Sequence, residues 1–533
     1  MKPLFRLGLA LLSGLMLTMA WYSEWMTVLL FIAFVPLLLI EEYYLDTRKN
    51  VFGVFNYSYL VFLIWNLFTT YWIYKATLPG AVMAVLANSA LMAFIFWLYH
   101  LSRRWSDKKV GRYALVFWWI TFEYLYFKTE ISWPWLTLGN GFAFNAEWVQ
   151  WYEYTGVLGG SLWILISNII IVSSIAELVL QRNTMNKRLI ANGVLFALII
   201  FVPIILSYVR YHNYEEQGEQ VEMVILQPNI DPYHEKFGSM GALEQTSRLL
   251  EVADNQITPR TKYVIGPETA LVERIWEGHA RDYGSVRMIE KFLEENTHLA
   301  FVVGASTRRE YGEGDFIPPT ARQFRNSETY YDRFNAALQI TTYDIDFYHK
   351  SKLVPGVEKV PYYQYFKFLD NFAADLGGTV GSLGKQAESS VFRFMGTTVA
   401  PIICYESIYP EYVASYVKKG ANFLFIITND GWWGNTPGFE QHMRYARLRA
   451  IETRRSIARS ANTGISAFIN QRGDVIKPTK WWTPTSIKHA VAENDEVTYY
   501  VANGDYLGRV AAFFTILIIL LMLVKKILNK KST

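Results

Sequence analysis

Cysteine is nearly absent from this chain: Cys404 is the only one in 533 residues. A lone thiol excludes an internal disulfide and a metal site built from cysteines alone. Cys404 is therefore either a passive buried side chain, the usual fate of a free cysteine, or a nucleophile. Charge is scarce too. Asp, Glu, Lys and Arg supply 18% of the residues, against 52% apolar and 16% aromatic. That balance is too apolar for an ordinary soluble enzyme of this length. The net charge of +4 is small, and no internal repeat or low-complexity tract is present. One cysteine fits either redox side of a membrane, so it does not fix the compartment.

What is present is uneven. Long apolar runs fill 1–208, a soluble-type composition fills 209–506, and 507–533 is apolar again before a basic tail. A membrane-spanning helix needs roughly 20 mostly apolar residues. The runs predict spans near 5–21, 26–41, 52–74, 80–102, 112–128, 160–180, 188–208 and 507–525, seven before the soluble domain and one after it. Lys2 and Arg6 ahead of the first run also fit a signal peptide. Thr18-Met19-Ala20 is a mediocre cleavage site, however, and a second apolar run follows closely.

Basic residues gather in alternate short segments: Lys2 and Arg6; Arg48 and Lys49; Arg103, Arg104, Lys108, Lys109 and Arg112; Arg182, Lys187 and Arg188; Lys525, Lys526, Lys530 and Lys531. With eight spans these fall on one side, which places both termini in the cytoplasm and the soluble domain outside it. The segment 129–159, with Trp133, Trp135, Trp148, Trp151 and Tyr152, does not span. Its rings suit either an interfacial belt or a lipid-facing floor beneath a site.

Within 209–506, short β-type runs alternate with helical ones. Strands are expected at 221–227, 262–266, 299–304, 398–404 and 422–428, with a hairpin over 333–340 and 344–350. Helices are expected at 242–256, 284–295, 410–419 and 438–455. This pattern predicts a mixed sheet covered by helices. Residues 306–333 read as a long polar connection. Glu268, Lys350 and Cys404 all stand at strand ends, where ligand chemistry collects.

Glu268, Lys350 and Cys404, in that order, resemble the catalytic triad of the nitrilase superfamily. With the membrane half included, nearly the whole chain resembles its membrane-embedded branch, the apolipoprotein N-acyltransferases. The similarity is carried by Gly266-Pro267-Glu268, Tyr348-His349-Lys350-Ser351-Lys352-Leu353-Val354-Pro355, Ile403-Cys404-Tyr405-Glu406, Asn429-Asp430-Gly431-Trp432-Trp433-Gly434, and Gln441-His442 followed by Arg447, Arg449 and Glu452. The resemblance implies a multi-span helical membrane domain plus an α-β-β-α sandwich, in a bacterial inner membrane with the catalytic domain in the periplasm.

It also implies roles. Cys404 would be the nucleophile and Glu268 the general base, because a free thiol with a pKa of about 8.5 is mostly protonated at neutral pH. Lys350 would stabilise the oxyanion, with the Tyr405 backbone N–H as a second donor; losing one such donor costs about 2.7–4 kcal/mol of barrier. Glu358 and Glu406 would support the triad by holding Lys350, or else stand solvated, and Phe237 is either a core ring or part of a mobile lid where the family often carries tryptophan. Cys404 would take an acyl chain from a phospholipid and pass it to the α-amine of a diacylglyceryl-modified N-terminal cysteine of an apolipoprotein, with ping-pong kinetics. No metal or diffusible cofactor is implied, and a monomer is expected.

The chain departs from the family pattern at Gly266, at Lys352 and around Pro355-Gly356-Val357-Glu358. These departures bear on acyl-pocket shape and loop motion and remove no triad member. A membrane-tethered carbon-nitrogen hydrolase using the same triad is the alternative, although seven spans are excessive for an anchor. The intact triad argues against a non-catalytic scaffold. A transporter should carry intramembrane ionisable residues, and the sequence offers mainly Glu123 and Glu177 near span ends. Nucleic acid is not a partner, because the basic residues lie in the inter-span segments rather than on the soluble domain.

Overall fold

The computed structural model describes residues 1–105, 110–180, 187–362 and 382–531. Lys108, Lys109 and Arg182, used above for orientation, lie outside the described residues. The chain divides into two units. One comprises Met1–Tyr71, Pro79–Tyr214 and Asn503–Thr533; the other comprises Trp72–Leu78 and Glu215–Ala502.

The first unit is helical. Among the described residues, six helices are long and apolar enough to cross a membrane: Glu24–Thr47, Phe52–Lys75, Leu78–Trp105, Val157–Leu178, Lys187–Asn213 and Tyr506–Leu528. Pro3–Met19 is apolar but shorter, and Ala114–Tyr126, at the expected span 112–128, has 13 residues. Pro3 and Pro36 fall in the first turn of their helices, where a missing N–H breaks no ladder bond. The break after Phe31 is stitched by Asn168, whose Oδ1 accepts from Phe34 N at 2.9 Å and whose Nδ2 donates to Leu30 O at 2.8 Å.

Two sequence expectations are corrected here. Charge inside the helical unit is not limited to Glu123 and Glu177. Glu41, His100 and Arg103 are fully buried or nearly so. His100 Nδ1 lies 2.7 Å from Glu41 Oε1, Arg103 pairs with both Glu41 and Glu42, and Arg112 reaches Glu42 at 2.7 Å. Hydropathy averaged over a span hides a few polar residues that satisfy one another. The tryptophan-rich segment is also more than a boundary belt. It forms short turns over Pro134–Leu136, Leu138–Phe144 and Ala146–Trp148, with Trp135 and Tyr152 at 0% exposure. Tyr152 OH donates to Gly139 O at 2.8 Å, and a Cβ on Gly139 would lie 2.0 Å from Val157 O, so only glycine fits.

In the second unit the strands are β1 (Gln220–Gln227), β2 (Thr261–Ile265), β3 (Leu271–Trp276), β4 (Ala300–Tyr311), β5 (Arg322–Gln323), β6 (Tyr330–Ile340), β7 (Ile345–His349), β8 (Phe392–Phe394), β9 (Thr397–Ile403), β10 (Phe423–Thr428), β11 (Ser456–Ala461), β12 (Ala467–Ile469), β13 (Val475–Ile476) and β14 (Thr485–Ala492). Among the described residues they form an eight-stranded sheet, ordered β14-β1-β2-β4-β6-β5 with β3 on β4 and β7 on β6, and a six-stranded sheet ordered β13-β12-β11-β10-β9-β8. Both are mixed: β1, β2 and β4 are parallel, with β3 parallel on β4, as are β9, β10 and β11, and the remaining pairs are antiparallel.

Alternation along the strands sets the layers. Met223, Ile225, Tyr263, Ile265, Ala300 and Val302 face the second sheet and join a core with Ile402, Phe425 and Ile427. Their neighbours Val224, Leu226, Val264, Phe301 and Val303 face the helices Ala242–Asp254 and Gly284–Glu294 through Leu249, Val286 and Ile289. Val413, Val417, Ala446 and Ala450, on helices Pro410–Lys418 and Pro437–Thr453, join the inter-sheet core from the second sheet's side. The result is an α-β-β-α sandwich. The polar connection expected over 306–333 is strand at its two ends, where β4 and β6 pair from Phe301↔Ile340 to Tyr311↔Tyr330, with turns and the short β5 between them. Cross-strand pairing holds these polar residues in β structure despite their composition.

Candidate active site

Each of the three expected residues leaves a strand into a tight turn. Cys404 follows β9 and opens the turn Cys404–Ile408 with a left-handed backbone, φ 49°. Glu268 follows β2, and Thr269 beside it is also left-handed at φ 47°. Non-glycine residues hold this region only where the surroundings fix it, and such positions cluster at functional sites. Lys350 follows β7 directly, and its N–H donates to Asn335 O at 2.9 Å, extending the β6–β7 ladder by one bond. Gly304 on β4 permits the approach of the Glu268 turn. A Cβ there would lie 2.5 Å from Thr269 N and 2.6 Å from Glu268 Cα.

The turns meet through charge. Lys350 Nζ donates to Glu268 Oε1 and to Glu358 Oε1, both at 2.9 Å. Asn335 Nδ2 donates to the same two carboxylates at 2.8 Å each. Asn429 N donates to Glu268 Oε2 at 3.1 Å, and Val354 N to Glu358 Oε2 at 2.8 Å. Burial pushes the Glu268 carboxyl up, but Lys350, Asn335 and Lys236 carry it below the ordinary glutamate range. Burial also opposes the Lys350 charge, and attraction from Glu268, Glu358 and Cys404 holds its amine well above the ordinary lysine value. The Cys404 thiol is raised by burial and then by Glu268, while Lys350 pulls it down. A buried thiol thus stands in the field of an ionised carboxylate and a fixed cation. That is the arrangement for proton removal from sulfur and for stabilising charge on an attacked carbonyl oxygen.

The supporting residues differ in what they do. Glu406 knots the site together: its Oε1 accepts from Tyr348 OH at 2.6 Å, Ser351 N at 2.7 Å and Lys352 N at 3.2 Å, and its Oε2 from Ile403 N at 2.9 Å. It therefore joins the turn of Lys350 to the turn of Cys404. Tyr405 is buried, its ring 5.4 Å from that of Tyr409. Phe237, by contrast, is 64% exposed and lies parallel to Trp432 at 6.3 Å. Lys352, a departure from the family pattern, sits over the Tyr409 and Tyr412 rings at 5.3 and 5.2 Å.

A second group joins residues that the sequence offered only as motif positions, with no role attached. Behind Cys404, His442 Nε2 contacts Ser407 Oγ at 2.9 Å and Cys404 O at 3.2 Å, and its Nδ1 lies 3.0 Å from Asp430 Oδ1. Asp430 Oδ2 accepts from Arg459 at 2.6 Å. Burial raises the Asp430 carboxyl, but Arg459 and His442 carry it well below the aspartate range. Cys404, Asp430 and His442 present atoms within 4.8 Å of one another, a spacing that invites a metal reading. The residues do not fit one: the Arg459 guanidinium also lies 3.1 Å from His442 Nδ1, so a fixed positive charge already sits among the donors. Asn429 and Asp430 stand just past a buried strand, so the strand-end rule that located Cys404 could have found them. Asn335, one polar residue within a β run, carried no such signal.

Comparison with known proteins follows the same division. Residues 13–170 match the family described as apolipoprotein N-acyltransferase N-terminal domain, and residues 225–496 match carbon-nitrogen hydrolase. The chain is similar to the apolipoprotein N-acyltransferase of Chlorobaculum tepidum, 31% identical over 531 residues that cover 96% of this chain and 94% of that one. It is similar also to that of Geobacter metallireducens, 25% identical over 512 residues, 93% and 91% of the two chains. Among solved structures, Saccharomyces cerevisiae Nit3, a member of branch 10 of the nitrilase superfamily, matches with TM-score 0.38 and 14% identity over 52% of this chain and 93% of its own.

Proposed function

This chain belongs to the apolipoprotein N-acyltransferase family, and from that membership we propose that it moves an acyl chain from a membrane phospholipid to the α-amine of a diacylglyceryl-modified N-terminal cysteine on an apolipoprotein. It is a multi-pass membrane enzyme of acyl transfer; the donor, the acceptor and the residue roles are the proposal.

In the first half-reaction Glu268 takes the Cys404 proton as sulfur attacks the ester carbonyl. Lys350 and the Tyr405 N–H stabilise the oxyanion. The C–O bond breaks, Glu268 returns the proton to the leaving oxygen, and a lysophospholipid departs from a thioester on Cys404. In the second half Glu268 takes a proton from the attacking amine, the C–S bond breaks, and Cys404 regains a proton as the amide forms. Glu358 and Glu406 hold Lys350 and the Cys404 turn in register, and Phe237 forms part of a lid over the acyl chain. No step requires a metal or cofactor.

One observation carries the reading: the lone thiol lies in the field of Glu268 and Lys350, whose charges are locked by a 2.9 Å ion pair. Intact-protein mass spectrometry after incubation with phospholipid alone tests it. Wild type should gain one acyl mass, lost on hydroxylamine treatment and transferable to a diacylglyceryl lipopeptide, and Cys404→Ser should gain none. The same triad would serve a membrane-tethered carbon-nitrogen hydrolase, a reading favoured by the match over 225–496. A thioester discharged by water and not by the lipopeptide amine would select it.

We further propose eight spans, seven in 1–208 and one in 507–533, with both termini cytoplasmic and the 209–506 domain in the periplasm of a bacterial inner membrane, acting as a monomer. The alternation of basic segments supports this topology. Protease added outside spheroplasts should cut within 209–506 and leave a tag after Thr533 intact.

A further inference from the structure

Glu268 has a second buried lysine at its back. Lys236 is 3% exposed and lies in the turn Glu235–Ser239, which also carries Phe237. Its Nζ donates to Glu268 O at 3.1 Å and to Thr269 Oγ1 at 2.7 Å. Thr269 is one of the left-handed residues, so Lys236 fastens the strained turn that presents Glu268. The lysine's own turn is pinned in return. Lys236 N donates to Asp231 O at 2.9 Å, and Gln245 Nε2 donates to Lys236 O at 2.8 Å. Asn462 Nδ2 donates to Ile230 O at 2.7 Å and to Asn429 Oδ1 at 3.1 Å, and Asn429 N in turn donates to Glu268. Turns after β1, β2, β10 and β11 thus meet around the Glu268–Thr269 turn.

A neutral amide could serve two oxygen acceptors equally well. A buried ammonium is costly unless a charge compensates it. Burial pulls the Lys236 amine down to about 8, and the attraction that opposes this comes from Glu268. Lys236 acts back on Glu268 in the direction that keeps it ionised, after the larger effects of burial, Lys350 and Asn335. The presence of lysine here is therefore explained by its charge as well as by its hydrogen bonds.

We infer that Lys236 is a positioning residue for the Glu268–Cys404 pair: it fixes the Glu268 turn and sets a second cation behind the carboxylate that receives the Cys404 proton. The inference rests on the roles given above to Glu268 and Cys404. The titratable and charged groups around the pair are Lys350 and Glu358 on one side, Asp430, His442 and Arg459 behind Cys404, Glu406 in the Cys404 turn, and Lys236 on the other side.

The lone cysteine provides a probe that needs no lipid. Alkylation of the purified full-length protein by iodoacetamide, read by intact mass, reports Cys404 alone. Removing a cation raises the pKa of a neighbouring carboxylate, so the acid limb of the rate profile should move up by about 1 pH unit in Lys236→Met. Lys236→Arg should restore most of that shift, and Lys236→Met placed on Glu268→Gln should add none. A Lys236→Met profile that overlays wild type overturns the inference. So does a loss by the same factor at every pH, which marks a packing role only, or a shift that persists without Glu268. Thioester formation from phospholipid is measured beside it. Failure of wild type to form a thioester, with the alkylation shift present, refutes the acyl-transfer reading and leaves the Lys236–Glu268 coupling standing.

Discussion

Lys350 and Glu358 lie eight positions apart in sequence and 2.9 Å apart through Nζ and Oε1, and the same ammonium reaches Glu268 at the same distance. One buried cation therefore balances two carboxylates. Removing it leaves two buried anions facing each other, whereas removing one carboxylate leaves a simple pair. Lys350→Met should slow thioester formation by about 10²–10³-fold through the lost oxyanion cation. Glu358→Gln should cost less, on the order of 1.5–3 kcal/mol for one charged hydrogen bond. Single-turnover acylation rates order the two; a Glu358→Gln defect as large as that of Lys350→Met would contradict the shared-cation account.

Gly304 and Gly266 separate backbone proximity from side-chain packing. A Cβ at 304 meets main-chain atoms of Glu268 and Thr269 at 2.5–2.6 Å, while one at 266 meets the Val303 Cγ2 methyl at 3.0 Å. Gly304→Ala should push the Glu268 turn away, lose most acylation and destabilise by about 1–3 kcal/mol. Gly266→Ala should keep most of both. Melting temperature and acylation rate, taken together, check the contrast.

Glu406 accepts three backbone N–H bonds from two turns. Glu406→Ala should leave these donors unsatisfied, at about 1–3 kcal/mol for each that stays buried. Loosened protection of the Ser351, Lys352 and Ile403 amides in hydrogen exchange is the expected signature. Unchanged protection would reduce Glu406 to a packing residue.

Asp430 governs an acid limit of stability. Its folded carboxyl is held below the ordinary aspartate range, against burial, by Arg459 and His442. A depressed carboxylate contributes stability that is present above its unfolded value and lost as pH falls through the folded one. Asp430→Asn leaves Arg459 without its buried anion and should destabilise by about 3–5 kcal/mol at neutral pH. The gap between variant and wild type should narrow below the aspartate range. Thermal unfolding in detergent across that window tests it; a gap that widens on acidification would refute the assignment.

Phe237 is exposed, its ring stacked on Trp432 and 5.8 Å from the Lys236 ammonium. Phe237→Ala should change stability by no more than about 0.5 kcal/mol. If the ring covers the acyl chain, KM for phospholipid should rise with kcat little changed, and Phe237→Trp should behave as wild type.

Composition alone separated an apolar helical part from an α/β part, because desolvation imposes long apolar runs on the one and short alternating runs on the other. The strand-end positions of Glu268, Lys350 and Cys404 were legible for a related reason: a buried strand is a recognisable apolar run, and a reactive residue at its close interrupts it. The strands Leu271–Trp276 and Thr485–Ala492 were not legible, since half-exposed strands at flanking positions lack that contrast. Nor were the long β4–β6 ladder, which pairs polar residues across strands, or the buried Glu41–Arg103 pair, whose charges meet only in space. Lys236 and Asn335 lie 32 and 67 positions from Glu268 and meet it only through the turns of the folded sheet. The sequence by itself determined which groups this protein can ionise and which segments must be buried. Tertiary structure decided which charges share a partner, because a carboxylate–ammonium contact near 3 Å depends on strand register and turn geometry rather than on local composition.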